Sequence, residues 1–363
     1  MTYKKTPSLS AAWRSIGKIL LASLFLVAST ISHADDKKNF KMAWSIYAGW
    51  MPWPYADQSG ILKKWADKYG ITIEIKQLDY IESLNQFTAG QFDAVLVTNM
   101  DALTIPAAGG VDTSIVLIGD YSNGNDGLTL KGKKNLKDIK GQKVNLVELS
   151  VSHYFLARAL ESVGLTEKDI KVVNTSDADI VAAWGTPEVT AAASWNPQLS
   201  EIKKQKDTYE VFDSSKIPGE ILDALAINTA TLKAHPELAK ALAGAWFETL
   251  SVMNKGDATA TTAKTSMAQL SGTDLPGYEA QLKTTKLFYT PKEALEFATA
   301  PALATSNDMV RKFSFDHGLL GANATSVDVI GIEFPGGKVL GDAKNIKLRF
   351  DPAYVQLAAD GKL

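Results

Sequence analysis

Acidic and aromatic side chains follow several of the apolar, strand-like stretches of this sequence. The segment "GWMPWPYADQSG" (49–60) comes after the first such stretch, "FKMAWSIY", and carries two tryptophans and a tyrosine. Carboxylates beside aromatic faces suit a cation, because a guanidinium group donates paired N–H bonds to a carboxylate and stacks on an aromatic ring. The predicted ligand-binding residues are Trp50, Trp53, Tyr55, Asn99, Asp101, Asp120, Tyr121, Glu148, Trp195 and Asn196.

Arginine is scarce in the sequence, which bears on the charge of the ligand. Beyond the N-terminal region the chain has only Arg158, Arg311 and Arg349, in helical or C-terminal contexts. A sulfonate or phosphate site would use arginine or helix N-termini aimed at the anion. The distribution therefore favours a cationic ligand over an anionic one.

Catalytic and metal chemistry find little support in the sequence. There is no cysteine, and His153, His235 and His317 do not have the spacing of metal ligands. Ser152 beside His153 is not a nucleophile–base pair, because neighbours on a helix point about 100° apart. Residues 127–134 nearly match the phosphate-binding P-loop motif, but Lys134 occupies the position where a magnesium-binding Ser or Thr is needed. We expect no catalytic residue, no metal and no cofactor.

Each candidate residue also has a structural explanation. The tryptophans of the predicted loops either contact ligand or cover the core, and Tyr47, on a strand, is expected to pack in the core. Asp126 is expected either to face the ligand or to form a turn before Gly127. Asp223 lies near the point where the chain is expected to return between lobes.

Strand and helix patterns alternate along the chain. "FKMAWSIY", "ITIEIKQL" and "FDAVLVT" read as strands, whereas "ILKKWADKYG" and "YIESLNQFTAG" read as helices with a terminal Gly. This alternation predicts an α/β architecture with mostly parallel sheets. The two prolines of 49–60 predict an irregular loop there.

A change in composition near 128–144 predicts two lobes. Lysine density rises there before a new strand, which indicates that residues 129–223 form a second lobe inserted into a first lobe of 35–128 and 224–363. Two strands would then cross between the lobes as a hinge. A ligand in such a protein is expected in the cleft, at the carboxyl ends of strands.

The N-terminal residues have the pattern of an export signal. Lys4, Lys5, Arg14 and Lys18 precede the apolar run "ILLASLFLVAS", and small residues before Asp35 predict cleavage after Ala34 by a Sec-type pathway. The apolar run is shorter than the roughly 20 residues of a membrane span. With a net charge of −2, the chain is not expected to bind nucleic acid.

Several segments in order resemble the solute-binding proteins of ABC transporters for sulfonates, taurine and thiamine precursors (NMT1-like family). They are "GWMPWPYADQSGILKKW", "GQFDAVLVTNMDAL", "VLIGDYSNGNDGLTLK", "IKGQKVNL" and "ASWNPQL". The subgroup associated with urea carboxylase and guanidine use is the most similar, on "TNMD", "SHYFLARAL" and "WNPQ". The resemblance implies a two-lobed periplasmic-binding-protein fold (type II), hinged by two crossing strands.

The combined expectation is a monomeric periplasmic receptor that delivers a small ligand to an ABC transporter permease. The ligand expected from the resemblance and from the acidic, aromatic loops is guanidine, guanylurea or a urea-like compound. The alternative keeps the fold and binds taurine, another sulfonate or a thiamine pyrimidine precursor. A pyrimidine-forming or hydrolytic enzyme of the same fold is a remoter alternative.

Overall fold

Two β-sheets with helices packed on them make up the described part of the chain. The computed structural model describes residues 1–2 and 37–363, so the predicted export signal, with its cleavage after Ala34, lies outside the described residues except for its first two. Residues Lys38–Leu363 form one compact unit.

The strands are β1 (Asn39–Trp44), β2 (Thr72–Gln77), β3 (Ala94–Thr98), β4 (Thr113–Ser122), β5 (Asp126–Lys131), β6 (Lys143–Leu146), β7 (Lys171–Asn174), β8 (Ala191–Trp195), β9 (Thr208–Asp213), β10 (Leu222–Asn228), β11 (Thr285–Leu287), β12 (Gly331–Glu333), β13 (Val339–Leu340) and β14 (Ile346–Phe350). The helices are α1 (Pro52–Gln58), α2 (Ile61–Lys68), α3 (Tyr80–Thr88), α4 (Asn99–Ala102), α5 (Val151–Ser162), α6 (Ile180–Trp184), α7 (Gln198–Lys203), α8 (Thr229–Ala234), α9 (Pro236–Met253), α10 (Ala258–Leu270), α11 (Leu275–Leu282), α12 (Pro291–Thr299), α13 (Pro301–Asp316) and α14 (Ala353–Ala359).

The first sheet has the strand order β13-β12-β14-β4-β10-β3-β1-β2, with β11 paired to β4. Strands β1, β2 and β3 pair in parallel through β1, as the alternation of strands and helices predicts. The prediction of mostly parallel sheets is otherwise wrong, because β5, β10, β11 and β13 pair antiparallel with their neighbours. Strand β10 runs antiparallel between β3 and β4. Strand β3 reads "AVLVT" and every residue in it is buried, which is typical of a strand covered on both faces.

The second sheet has the order β7-β6-β8-β5-β9 and is built from residues 126–213. The chain enters it from β4 through residues 123–125 and returns to β10 through residues 214–221. This sheet has its own apolar cluster, which includes Leu128, Phe155 and Leu160. Tyr154 and Trp195, from the same stretch of chain, pack instead with the core of the first sheet.

The predicted loop at 49–60 is partly wrong, because α1 occupies most of it. Pro52 is the first residue of this helix, where the missing N–H of proline removes no hydrogen bond. The proline signal therefore marked a helix start and not an irregular segment. Two helix starts also follow local sequence signals: Ser150 caps α5 by accepting from the Ser152 amide, and Pro236 begins α9.

Candidate functional site

A small cavity, with about 20 Å³ of free volume, lies where segments of both sheets meet. This volume is well below the roughly 300–1,000 Å³ of typical ligand pockets and is about enough for one water molecule. Most of its lining comes from the first-sheet part of the chain. The second-sheet part contributes a carboxylate, the first residue of a helix and a tryptophan. The lining residues are Ser45, Tyr47, Trp50, Tyr80, Thr98, Asp126, Val151, Trp195, Ile221 and Asp223.

Strand pairing places a row of polar side chains at one edge of the first sheet. Asp223 is the second residue of the antiparallel strand β10, and it pairs with Thr98 on β3 and with Asp120 on β4. Residues directly opposite each other on neighbouring strands project to the same face. On the second sheet, Asp126 pairs in the same way with Trp195. Two cross-strand pairings thus bring carboxylates to the cavity from both sheets.

The aromatic side chains of the cavity form a chain of contacting rings. The ring centroids of Tyr47 and Trp50 are 5.2 Å apart, those of Trp50 and Tyr80 are 5.9 Å apart, and those of Tyr80 and Trp195 are 5.8 Å apart. These spacings are within the range of favourable aromatic contacts. Trp195 also donates from its indole nitrogen to the Ile46 carbonyl at 3.4 Å. The wall is therefore continuous across the two parts of the chain.

Asp101 and Asp120 lie behind this wall, and the tyrosines of the wall bond to them. The Tyr47 hydroxyl donates to Asp120 at 2.8 Å, and the Tyr80 hydroxyl donates to Asp101 at 2.7 Å. Asp101 also accepts from the Thr98 hydroxyl at 2.9 Å. One carboxylate oxygen of Asp101 and one of Asp120 are buried without a hydrogen-bond partner.

Burial perturbs the acidity of all four aspartates. It raises the pKa of Asp101 and that of Asp126 to about 6, because an ionised carboxylate loses its hydration there. The pKa values of Asp120 and Asp223 are also raised, first by burial and then by the proximity of other carboxylates. Asp120 and Asp223 are neighbours in the strand pairing, so their two carboxyl groups favour sharing a proton or a cation.

No basic side chain offsets these acids. In the range that the structure describes, the cavity lining contains no Lys, Arg or His. The three arginines of residues 37–363 pair with acids elsewhere: Arg158 with Glu220 at 2.9 Å, Arg311 with Asp308 at 2.6 Å and Arg349 with Glu333 at 3.1 Å. The buried acids of the cavity thus lack a cationic partner among the described residues.

Four of the predicted site residues lie at the cavity or directly behind it. Trp50 and Trp195 are part of the lining. Asp101 and Asp120 are fully buried and accept hydrogen bonds from the lining tyrosines. The structure therefore brings these four predicted residues together.

Three predicted aromatic residues lie outside the lining. Trp53 is 1% exposed and stacks on Trp246, with ring centroids 5.0 Å apart. Tyr55 is half-buried on α1 and packs against the core. Tyr121 stacks on Phe297 at 5.6 Å.

Three predicted polar residues also lie outside the lining. Asn99 accepts from the Leu222 amide at 3.1 Å and joins β10 to the start of α4. Asn196 accepts from the Ser200 amide at 3.0 Å. Glu148 is exposed. The bonds of the two asparagines fix the backbone around the cavity.

The cavity lining also includes four residues that were not among the predicted ligand-binding residues: Tyr47, Tyr80, Asp126 and Asp223. Tyr47 was expected in the core, and Tyr80, the first residue of α3, gives no signal beyond its helical pattern. Asp223 gains its place from its pairing with Asp120, which joins residues about 100 apart in sequence. Asp126 and Asp223 each lie beside one of the two predicted crossings between lobes, and this position was the sequence signal that could have identified them.

The structure also brings His153, Glu167 and His317 together outside this cavity. One possible ligand atom from each residue lies within 4.8 Å of those from the other two. Histidine spacing along the sequence did not predict this cluster, because the residues come from three separate elements.

Comparisons with known proteins agree with this architecture. The family model "NMT1/THI5 like" matches residues 128–255. The chain is 23% identical over 182 residues to the taurine-binding periplasmic protein of Escherichia coli (strain K12), an alignment that covers 49% of this chain and 56% of that protein. The matched region thus spans little more than half the length of this curated relative.

Solved structures match over more of the chain. The alkanesulfonate-binding protein SsuA from Xanthomonas axonopodis pv. citri, bound to MOPS, has a TM-score of 0.64 at 15% identity, covering 78% of this chain and 94% of that one. SsuA from Escherichia coli has a TM-score of 0.63 at 17% identity, covering 78% and 88%. The fold is therefore the mixed α/β fold of periplasmic binding proteins, as the sequence predicted.

None of the helices in the described residues 37–363 is long and apolar enough to cross a bilayer.

Proposed function

We propose that this chain is the periplasmic solute-binding component of an ABC importer and that its ligand is a small, nitrogen-rich cation. Guanidine and guanylurea are the preferred candidates, with urea as their neutral relative. The two lobes are residues 35–128 with 224–363, and 129–223. They would close over the ligand by movement at the two crossings, 123–125 and 214–221, and the closed form would dock on the permease as a monomer.

The buried acids of the cavity carry this proposal. Asp101, Asp120, Asp126 and Asp223 are each at most 4% exposed, and none forms an ion pair with a basic side chain among the described residues. A buried carboxylate without a partner is costly, and a cation in the cavity would offset this cost. An anion in the cavity would increase the free-energy cost of burying these carboxylates.

The shape and lining of the cavity favour a planar cation. A guanidinium group can donate to carboxylates at its edge while its face lies on an aromatic ring. Asp126 and Asp223 provide the carboxylates, and Trp50 and Trp195 provide rings from the two sheets. The free volume of the cavity is about 20 Å³, so a ligand of a few heavy atoms would enter only when the lining side chains move apart, as opening of the lobes would allow.

A taurine or sulfonate ligand is the second candidate, because proteins with those ligands are similar to this chain. A sulfonate needs several N–H donors or a basic side chain. The lining residues offer no Lys, Arg or His within the described range, and two of their hydroxyls, on Tyr47 and Tyr80, already donate to aspartates. The similarity thus supports the receptor class more strongly than the anion.

Binding and release require no chemical step in this proposal. None of the cavity acids lies in a pair with a nucleophilic side chain and a histidine base in the part that the structure describes. The proposal therefore assigns no catalytic role, and it includes no nucleic-acid partner.

A thermal-shift screen tests the proposal. Guanidinium chloride at millimolar concentration, guanylurea, urea, taurine and a simple alkanesulfonate are added separately at matched ionic strength. A ligand at 100 times its dissociation constant stabilises the fold by about 2.7 kcal/mol. We expect guanidinium compounds to raise the melting temperature, urea to act more weakly and taurine not to act. If taurine alone raises the melting temperature, the cation hypothesis is wrong and a sulfonate is the ligand.

A further inference from the structure

His153, Glu167 and His317 converge from three elements at a seam between the two parts of the chain. His153 lies on α5, Glu167 begins the short 3₁₀ turn Glu167–Asp169, and His317 is the C-cap of α13. The first two residues belong to the chain stretch that forms the second sheet. His317 belongs to the C-terminal stretch, whose helix α13 packs against α4 of the first-sheet part.

The hydrogen bonds of His317 fix its ring orientation. Nδ1 lies 2.8 Å from the Phe313 carbonyl oxygen, which can only accept, so Nδ1 carries a proton. In a neutral ring this leaves a lone pair on Nε2, and Nε2 faces a carboxylate oxygen of Glu167. Two acceptors in contact require a proton between them, and a metal ion would take the place of this proton once the two atoms move apart to ligand distances.

The surroundings of His317 match those of a metal-binding histidine. Such a histidine commonly donates its second ring N–H to a backbone carbonyl, as His317 does to Phe313. The His317 ring also stacks on the Phe313 ring, with centroids 3.9 Å apart. On the other side, Thr166 and Asp169 form a capping box that holds the turn carrying Glu167.

We propose that His153, Glu167 and His317 bind a transition-metal ion of the zinc type. Two imidazole nitrogens and one carboxylate oxygen form a ligand set that zinc accepts, with water as the fourth ligand. The ligand atoms are already within 4.8 Å of one another, so small side-chain movements would bring them around an ion. Magnesium and calcium prefer oxygen ligands alone and do not suit this set.

The exposure of the cluster allows an ion to enter. The side chains of His317 and Glu167 are 21% and 30% exposed, whereas that of His153 is 6% exposed. The Leu149 amide donates to Nδ1 of His153 at 3.2 Å. Metal binding at Nε2 places the ring proton on Nδ1, so this contact must open when the ion binds.

A bound ion would link the two parts of the chain. It would join α5 and the Glu167 turn to the end of α13, and so favour the arrangement seen here over one in which the parts separate. This consequence rests on the proposed hinge motion, whereas the metal site itself does not.

Zinc titration tests the site independently of the solute. The protein is prepared without a histidine tag, stripped with a chelator and titrated with Zn²⁺ by calorimetry, with Mg²⁺ as a comparison. We expect one zinc per chain with micromolar or tighter affinity and no heat with Mg²⁺. With Co²⁺ in place of zinc, the visible absorption of a four-coordinate ion should appear.

Matched variants assign the zinc to these residues. His317→Ala should weaken zinc binding by more than about 100-fold, beyond the effect typical of an outer partner. His235→Gln is the control, because His235 also contacts a glutamate, Glu237, but belongs to no three-ligand cluster among the described residues. Thermal melts check that both variants fold. Absence of zinc binding by the wild-type protein, or binding that survives His317→Ala, would overturn the proposal and leave a proton between His317 and Glu167.

Discussion

Replacing Asp120 by Asn should change stability and ligand affinity in opposite directions. Asn resembles protonated Asp, because its oxygen can still accept from the Tyr47 hydroxyl and its amide can donate to Asp223. The substitution therefore keeps the hydrogen bonds of the buried pair and removes only the charge.

The stability effect follows from the raised pKa of Asp120. Burial raises the pKa of Asp120 above its ordinary value, so the folded state holds the proton more tightly than the unfolded state does. Stability is then lost as pH rises from the unfolded-state pKa, about 4, through the raised folded-state pKa. We expect Asp120→Asn to raise the free energy of unfolding at pH 8 and to have little effect at pH 4.

The affinity effect follows from the lost charge. Because Asp120 lies behind the wall, its charge acts on a cation in the cavity through space. At an effective dielectric constant of about 20 and a separation of roughly 10 Å this attraction is about 1.7 kcal/mol, so a cationic ligand should bind roughly tenfold more weakly to the variant. Urea-induced unfolding at pH 8 and pH 4 measures stability, and calorimetry with guanidinium measures affinity.

Asp112→Asn is the matched control for both measurements. Asp112 directly precedes β4, whereas Asp120 lies toward the other end of that strand, and Asp112 pairs with Arg349. This variant should lose stability and keep the affinity of the wild type. A destabilised Asp120→Asn protein with unchanged affinity would refute the reasoning, since Asp120 would then be an ionised structural acceptor with no influence on the ligand.

The remaining predictions separate the cavity wall from the core. Trp195→Ala should weaken a planar cation by about 2- to 30-fold, measured by calorimetry, and an unchanged affinity would show that the ring does not contact ligand. Trp53→Ala should lower the free energy of unfolding by about 3–5 kcal/mol in denaturant titrations, because it removes the ring stacked on Trp246, and any ligand affinity of the folded variant should persist. Glu148→Gln, at an exposed side chain, should change affinity by less than about twofold, and a larger loss would place Glu148 at the ligand.

Local signals in the sequence predict the fold well. Strand-like stretches, the Ser150 cap and Pro236 act over a few residues, and the structure has the corresponding elements. The same locality explains the error at 49–60. Proline at the first position of a helix and proline in a loop look alike until the following residues are seen to pack.

The site depends on pairings that local signals do not contain. Trp50 and Trp53 are three residues apart, yet only Trp50 lines the cavity, because Trp246 of α9 covers Trp53. Asp223 meets Asp120 only because β10 runs antiparallel to β4. His153 and His317 meet through Glu167, 150 residues from His317 in sequence. The sequence thus predicted an acidic, aromatic site but not its complete membership.

The pH dependence of binding tests the central claim, that the cavity takes a cation, most directly. A cation prefers ionised aspartates, and burial raises the pKa values of Asp101 and Asp126 to about 6. Guanidinium affinity measured by calorimetry at pH 5, 6.5 and 8 should therefore rise with pH, with protons released at the lower pH values. Binding of taurine that strengthens as pH falls, with no guanidinium binding at pH 8, would contradict the account.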